Sequence, residues 1–294
     1  MTASPLAVVA DAVSLRSPIL DFDADALLVV AHRGSWVEAP ENSLLAIRDA
    51  VRLGVGMVEI DTRRAADGAF MVIHDRTLDR TTEATGPVDA LDGAAMGRLR
   101  LRRSGGGKTM PLTEERVPTL FDALEEARGR VLVNIDTKSV AELPAVAREV
   151  LRGGFGAGVL VKAELSPADL GKLPADHPAF GPLPFMPVIR SAKGRFAADL
   201  SALAPLRPFM IEACPYDADD LEAGMEVVRE MGTRLWINTL DVAHMAHFND
   251  AAARLDADGV WGRLIDIGVR AIQTDESEAL TAYLAKRGCA SARL

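Results

Sequence analysis

The sequence is poor in cysteine and has fewer cations than acids. Only Cys214 and Cys289 occur, and their separation matches no C-x-x-C motif and no zinc-ligand spacing. This excludes a disulfide scaffold, and we expect two reduced thiols. Lys and Arg number 33 against 42 Asp and Glu, so the net charge is −9. Because nucleic-acid affinity depends largely on Lys and Arg neutralising phosphates, no nucleic-acid partner is expected.

Long apolar runs are also missing. No run approaches the roughly 18 residues that a membrane-spanning helix needs. The first 30 residues are interrupted by acids and lack the charged and apolar regions of a signal peptide. We therefore expect no membrane span and a cytoplasmic location. Hydrophobic residues at 49% and charged residues at 26% are typical of soluble globular domains, which excludes a mainly disordered chain.

Short apolar runs rich in β-formers alternate with helical patterns along most of the chain. This alternation predicts βαβ units and a parallel sheet. Eight runs are strand candidates: LLVVAHR, MVEID, VLVNIDTK, VLVKA, FMPVI, FMIEA, RLWINTL and AIQTD. Eight such units predict an α/β fold of the TIM (β/α)₈ barrel type. The turn Asp67-Gly68 before the run FMVIH predicts a hairpin after the second strand.

The same patterns set the expected domain organisation. Residues 1–26 are predicted to form an N-terminal extension, and residues 27–294 a single TIM-barrel catalytic domain. The segment at about 90–117 is rich in Arg and Gly and interrupts the alternation. We interpret it as an inserted loop that either lines the substrate entrance or is solvated. The sequence leaves the oligomeric state open.

Polar side chains gather at the predicted carboxyl ends of the first three strands and of the hairpin. Active sites of (β/α)₈ barrels lie at these ends, so we expect one pocket there. The candidate residues are His32, Arg33, Glu59, Asp61, His74, Asp136 and Lys138.

Three carboxylates among these residues would repel each other unless a cation lay between them. The oxygen ligands of Glu59, Asp61 and Asp136 favour a hard ion, so one divalent cation, Mg²⁺ or Ca²⁺, is expected. The two histidines suit general acid–base roles because imidazole titrates near neutral pH. Arg33 and Lys138 add positive charge that a phosphate could meet. The set indicates phosphoryl chemistry.

Three sequence blocks resemble a known family: AHRG followed by PENS, then EIDTRRAADG, then VIHDRTLDRTT. With the spacing of His32, Glu59 and His74, the chain resembles the glycerophosphodiester phosphodiesterases. The resemblance implies a TIM barrel, a divalent metal and hydrolysis of glycerophosphodiesters to glycerol 3-phosphate and an alcohol. It also implies that His32 and His74 are the general base and acid. In the family's pattern Glu59 and Asp61 are metal ligands, and Arg33 contacts the phosphate.

One position departs from the family's pattern. The family usually has Glu where this chain has Asp136, while Lys138 follows as in the Glu-x-Lys pattern. Related sphingomyelinase D-type phospholipases resemble this arrangement and use Asp there. Two alternatives therefore stay open: a lysophospholipase D-like phosphodiesterase acting on lyso-lipids, and a non-catalytic phosphodiester-binding protein of the same fold. Trp236 is expected either to pack against the substrate glycerol or to lie in the core.

Overall fold

Twelve strands occur within residues 26–293, the part of the chain that this computed structural model describes. They are β1 (Leu28–His32), β2 (Met57–Arg64), β3 (Phe70–Val72), β4 (Arg100–Arg102), β5 (Leu112–Arg116), β6 (Leu132–Thr137), β7 (Val159–Glu164), β8 (Phe185–Arg190), β9 (Met210–Cys214), β10 (Arg234–Leu240), β11 (Ala243–His244) and β12 (Ala271–Thr274). The predicted N-terminal extension, residues 1–26, lies outside the described residues apart from Ala26.

Eight of these strands close into a parallel barrel. Hydrogen-bonded neighbours follow the order β1-β12-β10-β9-β8-β7-β6-β2, and pairing between β1 and β2 closes the ring. All eight predicted strands are present, which confirms the TIM-barrel prediction. The predicted hairpin is also present, because β3 runs antiparallel to β2 with Thr62 opposite Val72.

Helices alternate with the barrel strands and supply much of the apolar packing outside them. They are α1 (Leu44–Leu53), α2 (Gly93–Met96), α3 (Leu120–Ala127), α4 (Leu143–Arg152), α5 (Phe196–Leu203), α6 (Ala218–Met231), α7 (Asp250–Leu255), α8 (Arg263–Ile267) and α9 (Ser277–Arg287). Helix α1 is capped by Ser43, whose side chain accepts a hydrogen bond from the Ala46 N–H. It ends at Gly54, whose φ of 71° is left-handed.

The barrel interior is apolar at its floor and polar at its mouth. Side chains two residues apart on a strand share a face, so Leu132 on β6 is followed inside the barrel by Asn134 and Asp136. The floor layer consists of Leu28, Val30, Met57, Leu132, Leu160, Met186, Met210, Trp236 and Ala271. Because this layer is closely packed, the barrel interior is open to a ligand at the carboxyl ends of the strands.

The inserted segment at 90–117 has secondary structure of its own. It contains helix α2 and the antiparallel pair β4–β5, and it packs on the hairpin through a separate apolar cluster that includes Met71, Met96 and Leu101. A backbone hydrogen bond also ties the segment to the loop after β3: the Gly107 N–H donates to the Arg80 carbonyl oxygen at 2.7 Å. This secondary structure was not predicted, because the apolar anchors of the segment are too widely spaced to give a regular period.

Gly34 allows the loop after β1 to contact helix α1. Its φ is +80°, and a Cβ at this position would lie 2.8 Å from the carbonyl carbon of Ala46. We expect Gly34→Ala to lower the free energy of unfolding by more than about 2 kcal/mol, since left-handed strain and overpacking add. Gly154→Ala is the control, with φ +70° and nothing within 4 Å. Denaturant titration should give a clearly smaller loss for the control, and equal losses would exclude contact with α1 as the cause.

Candidate active site

Three predicted carboxylates meet at the mouth of the barrel. Glu59, Asp61 and Asp136 offer oxygen atoms that all lie within 4.8 Å of one another. Strands β2 and β6 are neighbours, and their register sets Asp61 opposite Asp136, which brings the two carboxylates together. Glu59 and Asp61 are buried, and Asp136 is half-buried. Three converging hard oxygen donors fit one divalent cation of the Mg²⁺ or Ca²⁺ kind.

Two predicted cations lie between these acids. The Lys138 ammonium is 2.6 Å from Asp61 Oδ1 and 2.6 Å from Asp136 Oδ2. The Arg33 Nε is 3.2 Å from Asp61 Oδ2. Burial alone would raise the pKa of Asp61, but the charges of Lys138 and Arg33 outweigh it and hold that pKa well below its usual range. Asp61 is therefore ionised at neutral pH.

The negative charge of Glu59 is less well compensated by nearby cations than that of Asp61. Burial, followed by the neighbouring charge of Asp61, raises the pKa of Glu59 to about 7. The nearest cation is Lys162, whose Nζ is 4.0 Å from Glu59 Oε1. The Arg33 backbone N–H also donates to Glu59 Oε2, at 3.2 Å. The protein's own cations thus leave part of the negative charge uncompensated, which again fits a site for a cation.

Each predicted histidine is held by a carboxylate. His32 Nδ1 lies 2.7 Å from Asp275 Oδ1, and His74 Nδ1 lies 2.7 Å from Asp75 Oδ1. Arg80 fixes Asp75 in turn by donating from Nε at 2.7 Å and from Nη2 at 2.8 Å. A carboxylate accepts from an Nδ1–H, so this network assigns the proton to Nδ1 and leaves Nε2 free on both rings. Burial lowers the pKa of His74, which makes its imidazolium a stronger proton donor.

Two non-glycine residues of the site have left-handed backbones. Arg33 and Asn42 both have φ +58°, a conformation that costs such residues of order 1–3 kcal/mol. The Asn42 N–H donates to the Arg33 carbonyl at 2.9 Å. The Asn42 side chain also donates to Asp61 Oδ2 at 2.8 Å and accepts from the Asp61 N–H at 3.1 Å. The strained turn therefore holds Arg33 beside Asp61.

A second polar group fills the other side of the mouth. Lys162 Nζ is 2.8 Å from Glu212 Oε2, and both side chains are buried. The Asn238 amide donates to Glu212 Oε1 at 2.9 Å, and Trp236 Nε1 donates to Asn238 at 2.8 Å.

Trp236 itself does not take the predicted substrate-contact role. Its side chain is 0% exposed and belongs to the apolar floor, one inward-facing position below Asn238. No surface remains for the glycerol to contact. The core-packing alternative therefore describes Trp236.

Several supporting residues were missed by sequence reasoning. Asp75 and Asp275, which hold the histidines, received no role. Glu41 was also missed, although it accepts from Arg80 at 2.7 and 2.8 Å and from Arg33 at 3.0 Å. Glu41, Asp75 and Arg80 all lie within the blocks PENS and HDRTLDR, so their position in those blocks was the available signal. For Lys162, the signal was a charge inside an otherwise apolar strand.

The fold and the site define a (β/α)₈ barrel protein whose acidic cluster is of the kind that binds divalent cations. Two histidines, each hydrogen-bonded to a carboxylate, lie beside this cluster. The family model described as the glycerophosphoryl diester phosphodiesterase family matches residues 32–152. A model described as a domain of unknown function matches residues 185–284. Residues 32–152 are thus similar to the glycerophosphoryl diester phosphodiesterase family.

Curated relatives match this chain in part. A glycerophosphodiester phosphodiesterase of Caldanaerobacter subterraneus is 35% identical over 127 residues, which is 42% of this chain and 51% of that relative. Glycerophosphodiester phosphodiesterase 1 of Mus musculus is 36% identical over 132 residues, 42% of this chain and 37% of that relative. The matched part thus spans about half, or less, of the length of these relatives.

Solved structures share the fold. A glycerophosphoryl diester phosphodiesterase from Parabacteroides distasonis has a TM-score of 0.74 at 20% identity and covers 95% of this chain and 92% of its own. A phosphodiesterase from Oleispira antarctica, in complex with sn-glycerol-3-phosphate, has a TM-score of 0.64 at 22% identity, with 87% and 96% covered. No helix among residues 26–293 combines the length and apolar character needed to cross a membrane.

Proposed function

We propose that this chain hydrolyses glycerophosphodiesters to glycerol 3-phosphate and an alcohol, using one divalent cation. Residues 27–294 would act as one catalytic domain. The observation that carries the proposal is the convergence of two histidines, each held by a carboxylate, on one acidic cluster with two cations. The match of residues 32–152 to the family model supports this substrate class, as does the Oleispira structure with its bound glycerol 3-phosphate.

The proposed reaction has two steps in which His32 and His74 exchange protons with substrate through their Nε2 atoms. In the first step His32 takes the proton of the glycerol 2-hydroxyl, and that oxygen attacks phosphorus. The bond from phosphorus to the leaving alcohol breaks, and His74, which enters this step as the imidazolium with a second proton on Nε2, protonates the alcohol oxygen, leaving a cyclic phosphate. Water then attacks phosphorus with the histidine roles reversed, and the ring bond to the 2-oxygen breaks. The sum is diester plus water to glycerol 3-phosphate plus alcohol.

The residues around the phosphate would stabilise the negative charge that develops on it during the reaction. Glu59, Asp61 and Asp136 would hold the divalent cation, which when bound supplies positive charge to the phosphoryl oxygens. Arg33 and Lys138 bring donors to the same region, and such fixed donors are usually the largest catalytic contribution. Both are already oriented by Asp61, so little reorganisation is needed during the reaction.

The direct test is release of glycerol 3-phosphate from purified protein. Glycerophosphocholine, glycerophosphoethanolamine and a lysophospholipid are offered in turn with Mg²⁺, Ca²⁺ and Mn²⁺. We expect glycerol 3-phosphate from the two water-soluble diesters in at least one metal. Turnover of the lysophospholipid alone would replace the proposal by a lysophospholipase D-like activity. Binding of the diesters without turnover in every metal would make the chain a binding protein.

Asp275 is proposed to position His32 rather than to touch substrate. Asp275→Asn should lower kcat about 10–100-fold, because the amide no longer fixes the Nδ1–H tautomer of His32. The pH profile of kcat should shift as well, which loss of packing alone would not produce. Asp275→Glu should restore part of the rate, and Asp266→Asn, at an exposed position, serves as the control. A full rate and an unchanged profile in Asp275→Asn would remove this role.

A further inference from the structure

A cavity of about 600 Å³ opens beside the acidic cluster, at the hairpin side of the mouth. Its charged lining residues are Arg63, Arg64, Arg76, Asp89, Lys138 and Glu142. The cavity is joined to the site at two points. Lys138 contacts two of the acidic-cluster carboxylates, and Arg63 Nε donates to the His74 carbonyl oxygen at 2.6 Å.

The lining has a surplus of positive charge. Four of its charged residues are cations and two are acids. Arg64 is paired with Glu142, and Lys138 is paired with acids of the site. Within residues 26–293, neither Arg63 nor Arg76 forms an ion pair with an acid, and the remaining lining acid, Asp89, is exposed. A local positive cavity is notable in a chain whose net charge is −9.

The two unpaired guanidinium groups have the chemistry of an anion site. Arg63 uses its Nε on the His74 carbonyl, which fixes the side chain and leaves its terminal nitrogens free to donate. Guanidinium groups bind carboxylates and phosphates through two parallel hydrogen bonds. Cavities of this volume hold ligands larger than glycerol. His74, the proposed acid for the leaving oxygen, is linked to this cavity through the hydrogen bond from Arg63 to its carbonyl oxygen.

We propose that the cavity receives the alcohol half of the diester, and that this alcohol carries an anionic group, a carboxylate or a phosphate. The inference rests on the proposed function and adds the class of leaving group. It orients the diester in the site: the glycerol phosphate lies over the acidic cluster, and the anionic end of the alcohol lies between Arg63 and Arg76. A choline-type alcohol would instead place its positively charged ammonium group beside the two guanidinium groups.

The first test compares four glycerophosphodiesters that differ only in the leaving alcohol. The alcohols are propan-1-ol, 3-hydroxypropanoate, 3-hydroxypropyl phosphate and choline. For the wild-type protein we expect kcat/KM for the carboxylate and phosphate compounds to exceed that for the propyl ester by about threefold to tenfold. The choline ester should be the poorest. The carboxylate and phosphate arms decide which anion is preferred.

The second test uses variants of opposite expected sign. Arg76→Gln should lower kcat/KM for the two anionic substrates about threefold and leave the propyl ester unchanged. Asp89→Asn should raise the rate for the anionic substrates, because it removes a like charge. Arg148→Gln is the matched control, since Arg148 is exposed and does not line the cavity.

The outcomes separate this inference from the proposed function. Equal kcat/KM for the anionic and propyl diesters overturns the inference and leaves the proposed hydrolysis intact. The same holds if Arg76→Gln slows all four substrates equally. If the wild-type protein hydrolyses none of them with any divalent metal, the proposed function fails, and the leaving-group assignment fails with it.

Discussion

His32→Ala and His74→Ala are each expected to lower kcat by about 10²–10⁴-fold, with little change in Tm. His32→Ala removes the proposed base that assists the attack, and His74→Ala removes the proposed acid that assists departure of the alcohol. Both side chains lie at the mouth, above the apolar floor that stabilises the barrel. The measurement is glycerol 3-phosphate release at saturating substrate and metal, beside thermal unfolding of each variant.

The double variant tests directly whether the two histidines act together. Two groups that act in one proton relay are not additive, so His32→Ala/His74→Ala should be hardly slower than either single variant. His247→Asn is the control, because His247 is exposed and its φ of +67° suits Asn. Folded single variants that keep near-full activity would contradict the assignment of both histidines.

Removal of divalent metal by a chelator should abolish activity, and added Mg²⁺ or Ca²⁺ should restore it. Glu59→Gln is the cleanest variant for this site. Within the described residues its one ion-pair partner is Lys162 at 4.0 Å, and Lys162 keeps Glu212 at 2.8 Å when Glu59 loses its charge. Asp61→Asn would leave Lys138 and Arg33 without their shared partner, which by itself destabilises a buried site. We expect Glu59→Gln to raise the metal concentration for half-maximal rate at least tenfold.

Asp136 gives the second arm of the metal prediction. Asp136→Asn should weaken metal binding because it removes a negative charge, whereas Asp136→Glu should be tolerated and shift preference toward Ca²⁺. The wild-type chain should prefer Mg²⁺, which retains water and so suits a shorter side chain. Glu125→Gln, on the outside of α3, controls for general effects of lost charge. Metal titrations, monitored by calorimetry and by the reaction rate, test both parts of this prediction. Full turnover by a metal-free preparation would disprove both.

The barrel was predictable because its signals are local. Each strand is a short apolar run, and the spacing of two between Glu59 and Asp61 sets their common face without knowledge of the fold. Contacts between distant segments carry no such signal. His32 and Asp275 are 243 residues apart, and only closure of the ring between β1 and β12 brings them together. Trp236 was ambiguous for a related reason, because alternation gives the face of a side chain but not its height in the barrel.

The polar mouth above the apolar floor has a consequence for how this protein can evolve. The buried Lys162–Glu212 pair lies at the mouth, and an apolar pair of similar volume there is often neutral or stabilising. Retaining charged residues at the mouth of the barrel therefore costs some stability of the fold, as is common at functional sites. The floor carries no such conflict. Selection for heat resistance can act on the floor and the outer helices, while selection for new substrates acts on the rim, and neither need disturb the other.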